Sequence, residues 1–130
     1  MNILITGCAG FIGFHLSLSL LDKKNVKVFG IDNLNNYYDV NLKKNRLKIL
    51  KQNKKFKFSK LDINKDNKKI DLIFKKNKFE YVVNLAAQAG VRYSIKNPRE
   101  YLDTNIVGFY NIIDLSVKYK IKHFLFASTS

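Results

Sequence analysis

One cysteine, one proline, no tryptophan and only ten acidic residues stand in a chain of 130. The lone Cys8 excludes an internal disulfide framework and any cysteine-rich metal site, and it suits a reducing, cytoplasmic setting. His15 and His123 have no second ligand at metal spacing, so no metal site is expected. The lone Pro98 leaves no proline-rich linker to mark a domain boundary. Long apolar runs are missing too: nothing approaches the ~18 uninterrupted apolar residues of a membrane span. The first apolar stretch has no basic residue ahead of it and runs into glycines that read as a turn, so no secretory leader is expected. The shortage of acid leaves 24 Lys and Arg against 10 Asp and Glu, a formal net charge of +14. Taken alone, that is the electrostatic footprint of a nucleic-acid binder. The excess is nearly all lysine, however, with arginine only at Arg46, Arg92 and Arg99. The cations run from Lys43 to Lys78 mixed with asparagine, not gathered with aromatics on one stripe. A solvated surface is the expectation, with no nucleic-acid and no membrane partner.

What is present is core material. Residues are 46% apolar, with ten Phe and seven Tyr, enough to bury one domain over residues 1–130. The pattern alternates. NILIT (2–6) is a short apolar run fit for a strand buried on both faces. FIGFHLSLSLLDKK (11–24) predicts a helix with Ile12, Leu16 and Leu20 toward the core. VKVFGID (26–32) is a second strand, followed by the polar, aromatic loop NLNNYYD. VNLKKNRLKILKQ (40–52) predicts a helix with Leu42, Leu47 and Leu50 inward. KFKFSKLD (55–62) alternates as a third strand, and NKDNKKIDLIFKKN (64–77) follows as a helix. EYVVNLAA (80–87) is a fourth strand and RYSIKNP a loop. Residues 98–120 predict one long helix with Pro98 in its first turn, where a missing N–H costs nothing. KHFLFAS (122–128) is a fifth strand. Strands alternating with helices predict an α/β fold: a doubly wound parallel sheet with helices on both faces.

Gly7, Gly10 and Gly13 fall three apart between the first strand and the first helix. In that setting the triplet is a dinucleotide fingerprint, its glycines serving a tight turn, close approach of a pyrophosphate, and close helix packing. A plain strand–helix turn would need glycine as well. Asp32 separates the two readings. It ends the second strand about twenty residues on, where a carboxylate bonds both adenosine ribose hydroxyls. It would repel a 2′-phosphate, and no Lys or Arg occurs from Asn33 to Asn36, so NAD is expected over NADP. Asp62 ends the third strand, where both an adenine contact and an N-cap for a helix starting at Asn64 fit. Ala86 and Ala87 leave room at the end of the fourth strand for a ligand, or for close loop packing.

The segments TGCAGFIGFHL, IDNLNNYYDVNLKKNRL, NLAAQAGVRYSIKNP, NIVGFYNII and FLFASTS together resemble the extended short-chain dehydrogenase/reductases, and within them the nucleotide-sugar epimerases, UDP-glucuronate 4-epimerases above all. The resemblance covers essentially the whole chain. It implies that Gly7, Gly10, Phe11, Ile12 and Gly13 meet the pyrophosphate of NAD. It places Asp32, Asn33 and Asn36 at the ribose, and Asp62 and Ile63 at the adenine. Leu85, Ala86, Ala87, Gln88 and Asn105 fall on the nicotinamide side. Thr129 matches the catalytic Ser or Thr, and Arg92, Ser94, Thr129 and Ser130 fall on the sugar side. Arg92 fits an anionic group of the substrate or an ordinary surface position. The implied substrate is UDP-glucuronate or UDP-galacturonate, inverted through transient oxidation at carbon four, in a homodimer. That chemistry uses a tyrosine base with a lysine four residues later. No tyrosine of the chain has one. The chain is therefore expected to be the N-terminal part of a longer enzyme, binding NAD without turning over a sugar. A 4,6-dehydratase is the sister possibility, but there an Asp-Glu pair follows the threonine, and Ser130 follows Thr129. A non-catalytic NAD-binding module is the other alternative.

Overall fold

A computed structural model describes residues 1–128. Thr129 and Ser130, the expected catalytic and sugar-side residues, lie outside the described residues. Five parallel strands form one sheet in the order β3-β2-β1-β4-β5. They are β1 (Asn2–Thr6), β2 (Lys27–Asp32), β3 (Phe56–Lys60), β4 (Tyr81–Asn84) and β5 (His123–Phe126). Connecting them are α1 (Phe11–Leu21), α2 (Val40–Leu50) and α3 (Asn67–Asn77). The return from β4 runs through α4 (Val91–Lys96), α5 (Pro98–Tyr101), a π-helical segment (Leu102–Gly108) and α6 (Phe109–Lys118). The doubly wound expectation holds. Between β1 and β4 the chain order reverses, and in open α/β sheets ligands bind at that crevice.

Alternation along the strands builds two cores. Ile3, Ile5 and Val28 face one way and pack with Phe14, Leu21, Leu47 and Leu50 of α1 and α2. Leu4, Ile31 and Val82 face the other way and pack with Ile70, Phe74, Ile112 and Leu115 of α3 and α6. Leu4, Ile5 and Val82 are wholly buried, as a strand covered on both faces requires.

Several expectations are corrected. Ile12 is exposed, and α1 buries Gly13, Phe14, Ser17 and Leu21 instead. Two small residues let this helix lie against the turn after β1, while Leu16 and Leu20 pack partly buried against the same core, as expected. Leu42 is exposed too, and Lys43 takes its inward place beside Leu47 and Leu50. Helix α3 starts at Asn67 rather than Asn64. Residues expected as a loop after β4 form α4. The long helix spans its expected range, but residues 102–108 are wound as a π-helix.

Nor are the cations evenly spread. From Val40 to Leu61 there are nine Lys and Arg and no Asp or Glu, and α2 with β3 brings them to one edge of the sheet. Lys44, Lys48 and Lys51 rim a groove floored by Leu34, Leu47 and Phe58.

Candidate functional site

The site begins with the turn after β1. Gly7 has φ +70°, and a Cβ there would lie 2.8 Å from the backbone N of Ala86. Its N–H donates to the carbonyl of Ile31 (2.8 Å), which fixes the turn between β2 and β4. A Cβ on Gly13 would stand 2.2 Å from the carbonyl oxygen of Gly7. Only glycine lets α1 approach its own turn so closely. Gly10 is the N-cap of α1 and offers no side-chain cap. The first helical bond is from the Phe14 N–H to the Gly10 carbonyl (3.0 Å), so the N–H groups of Phe11, Ile12 and Gly13 have no intrahelical acceptor. An open helix start with no blocking side chain attracts an anion. The side chains of Phe11 and Ile12 are exposed; only their backbone serves this purpose.

Asp32 closes the turn from the other side. It is 7% exposed, and both carboxylate oxygens are engaged. The Ala9 N–H donates to Oδ2 (3.0 Å) and the Leu34 N–H to Oδ1 (2.8 Å). Arg46 donates to the carbonyl of Ala9 (3.1 Å) and to the Tyr38 hydroxyl (3.2 Å). Residue 9 is thereby held at both its N–H and its C=O.

Around this point runs a cleft of about 150 Å³, lined by Gly7, Gly10, Asp32, Asn33, Asp62, Ile63 and the stretch Leu85–Ala89, among others. That is below the ~300 Å³ of sites that enclose a small molecule, so an extended ligand would lie along it. Asn33 donates to Asp62 (3.1 Å) across it. Asp62 is no helix cap: it accepts from the Asn64 N–H (2.8 Å) in a local turn, while Asp66 occupies the N-cap of α3. Gln88, 4% exposed, accepts from the Asn35 side chain (3.3 Å). Its backbone is gripped twice by Asn105, whose Oδ1 accepts from the Gln88 N–H (2.8 Å) and whose Nδ2 donates to the Gln88 carbonyl (3.0 Å). Asn105 thus faces the wall of the cleft from behind; Thr104 lines it.

Three expected residues stand apart. Asn36 is exposed and outside the lining. The turn at Asn33, whose Oδ1 accepts from the Asn35 N–H (3.0 Å), and Leu34 at φ +54° bring Asn35 in instead. Arg92 is exposed on α4, and Ser94 spends its hydroxyl on the Val91 carbonyl (2.6 Å).

Sequence reasoning missed Lys43. It is 5% exposed, lines the cleft, and donates to the carbonyl (2.9 Å) and Oδ1 (2.6 Å) of Asn35. Its ammonium lies 4.4 Å from the centre of the Tyr38 ring. Burial pulls its pKa below the ordinary lysine value, with Asp32 opposing the shift and Arg46 adding to it. The signal was legible: Lys43 lies four residues before Leu47 on the inward stripe of α2, where lysine is rare unless paired.

A family model described as GDP-mannose 4,6 dehydratase matches residues 4–130. The chain belongs to that family. Its relatives include the protein CapI of Staphylococcus aureus, 51% identical over all of this chain and 38% of CapI. A UDP-glucuronate 4-epimerase of Thermodesulfobacterium geofontis is 44% identical over 98% of the chain and 39% of that enzyme. Among solved structures, the UDP-glucuronic acid 4-epimerase of Bacillus cereus, in complex with UDP-glucuronic acid and NAD, superposes with a TM-score of 0.89. It is 34% identical, over 100% of this chain and 40% of that one. The chain spans about two fifths of the length of these family members.

Proposed function

We propose that residues 1–130 form the NAD-binding part of a nucleotide-sugar 4-epimerase acting on UDP-glucuronate or UDP-galacturonate. The observation that carries this reading is Asp32, locked by two backbone N–H groups beside an uncapped helix start. That pairing offers an anion seat and a ribose anchor side by side in space, the Ala9 N–H just before the helix start lying 3.0 Å from the carboxylate. The residues fit the cofactor: glycine at 7 and 13 lets the turn and α1 close on each other, the free N–H groups of α1 are open to an anion, and no side chain caps the helix. Gly7, Gly10 and Gly13 would seat the pyrophosphate with the backbone of Phe11 and Ile12. Asp32 and Asn33 would hold the ribose, Asp62 and Ile63 the adenine, and Leu85 to Gln88 the nicotinamide side. When bound, NAD supplies the hydride acceptor and donor for inversion at carbon four. The Bacillus cereus relative, crystallised with that cofactor and with UDP-glucuronic acid, supports the reading. The proton would need a tyrosine–lysine pair that residues 1–130 do not contain.

Isothermal calorimetry on the purified chain tests this. NAD is expected to bind one per chain, and no conversion of UDP-glucuronate is expected from these 130 residues. Absence of NAD binding, or turnover by this chain, refutes the respective half of the reading.

A further inference from the structure

We propose that Lys43, with Arg46 one turn further along α2, forms a latent cradle for a 2′-phosphate that Asp32 keeps closed. The proposal rests on reading the cleft as a dinucleotide site. Choice between NAD and NADP is made at the adenosine ribose, where an acid favours a free 2′-hydroxyl and a cation accommodates a 2′-phosphate. No cation is adjacent in sequence, since residues 33–36 contain no Lys or Arg. The fold supplies two from α2.

Lys43 lines the same cleft as Asp32. Two of its three N–H donors go to Asn35, and the third has no hydrogen-bond acceptor among the described residues. Arg46 holds the carbonyl of Ala9, the residue whose N–H is held by Asp32. Lys43 therefore shares the cleft with the carboxylate, and Arg46 stands one peptide away from it, outside the cleft lining. Each now holds neutral oxygens that a ligand oxyanion could replace: the carbonyl and amide oxygens of Asn35 for Lys43, and a carbonyl and a phenol for Arg46. A phosphate accepts stronger, charge-assisted bonds from both. With Asp32 ionised, a 2′-phosphate would meet a like charge at close range, which is the costlier term. Removing that charge leaves Asp62, which already accepts from Asn33, as the other carboxylate of the cleft lining.

The test is a calorimetric cycle. NAD and NADP are titrated into the wild-type chain and into Asp32→Asn, Lys43→Met and Asp32→Asn/Lys43→Met, with thermal midpoints measured first to confirm folding. Asparagine keeps an acceptor for one of the two N–H groups, Ala9 or Leu34, and turns its NH2 toward the other, which is why folding is confirmed first. Asp32→Asn is expected to raise the NADP-to-NAD affinity ratio by about a hundredfold. Lys43→Met in that background is expected to lower it about tenfold or more. The ratio is the readout, because a merely structural role for Lys43 weakens both ligands alike. An unchanged ratio in either step overturns the proposal. If Asp32→Asn does not fold, Lys43→Met and Lys43→Arg decide it in the wild-type background. Methionine should cost NADP more than NAD while arginine retains the difference; equal losses overturn it. Failure of the wild-type chain to bind either dinucleotide overturns the underlying reading of the cleft, and is distinct from a flat cycle.

Discussion

Thr6 shows how much one hydroxyl can hold. It is wholly buried at the end of β1. It donates to Asn84 Oδ1 (2.6 Å) and accepts from the N–H groups of Leu85 (3.2 Å) and Ala86 (3.1 Å). Thr6→Val keeps the shape and strips all three partners. It is expected to cost about 1–3 kcal/mol, read as a shift in the denaturant midpoint, and to loosen the wall at Ala86. Gly13→Ala should do comparable damage for a different reason. Its methyl meets the Gly7 carbonyl, a backbone atom that cannot swing aside. A loss of about 1–3 kcal/mol or more is expected, together with loss of NAD binding in calorimetry. At this scale the sequence was informative wherever a residue type has one use. Three spaced glycines and an acid at the end of a strand announced their neighbourhood. Thr6 and Lys43 did not, because a threonine or a lysine is compatible with too many surroundings.

The π-helical segment sets what its neighbours can reach. One side of the long helix carries Asn105 to the Gln88 backbone, and a turn and a half on, Asn111 donates to the carbonyl of Ile63 (2.9 Å). Between them Gly108 rests on Ile63, where a Cβ would come within 2.6 Å of its side chain. The element thus ties the ends of β3 and β4 together from behind the cleft. Asn105→Ala is expected to leave the fold intact and raise amide exchange over residues 86–90. It should weaken NAD binding by about threefold to tenfold, since one doubly bonded side chain is worth roughly 0.5–1.5 kcal/mol per bond. Protection unchanged at Gln88 would count against it. The helix itself was legible from its length, its apolar spacing and Pro98. Its wide turn was not, because widening follows from what the helix must touch across the sheet, and nothing local in Leu102–Gly108 specifies it. The face of α1 was misjudged at Ile12 for a related reason. Apolar spacing grouped Ile12 with Leu16 and Leu20, whereas close approach to the turn selected Gly13 and Ser17.

Across the whole molecule, few acids must serve many lysines, and two exposed pairs join separate elements. Lys118 of α6 donates to Asp71 of α3 (2.7 Å), and Lys122 before β5 donates to Glu80 before β4 (2.7 Å). These hydrogen bonds hold both carboxyls below their ordinary values and both ammoniums above theirs. A carboxyl lowered in the folded state adds stability above its unfolded value that is lost as pH falls through the folded one. The ordinary values are 3.8 for Asp71 and 4.5 for Glu80. The lysine contributions are complete below 10.5 and fade as pH rises past it. The thermal midpoint should therefore be level through neutral pH and decline at both extremes. Lys118→Met/Lys122→Met should lower the plateau slightly and shallow both declines, exposed pairs being worth little. An unaltered profile would assign those pairs no share. At this scale the alternation of strands and helices gave away the architecture, and the run of cations was visible along the chain, while its placement at one edge of the sheet emerged only once the chain was wound.

Cys8 turns the glycine turn into a clock. It is wholly buried, with Gly30 so near its sulfur that a Cβ there would come within 2.5 Å, and burial, followed by Asp32, pushes its thiol well above the usual range. A thiol reagent can reach it only when the turn comes off the sheet. Its labelling rate at neutral pH thus times that opening without any engineered probe. A ligand seated on the turn should slow the clock in proportion to its occupancy.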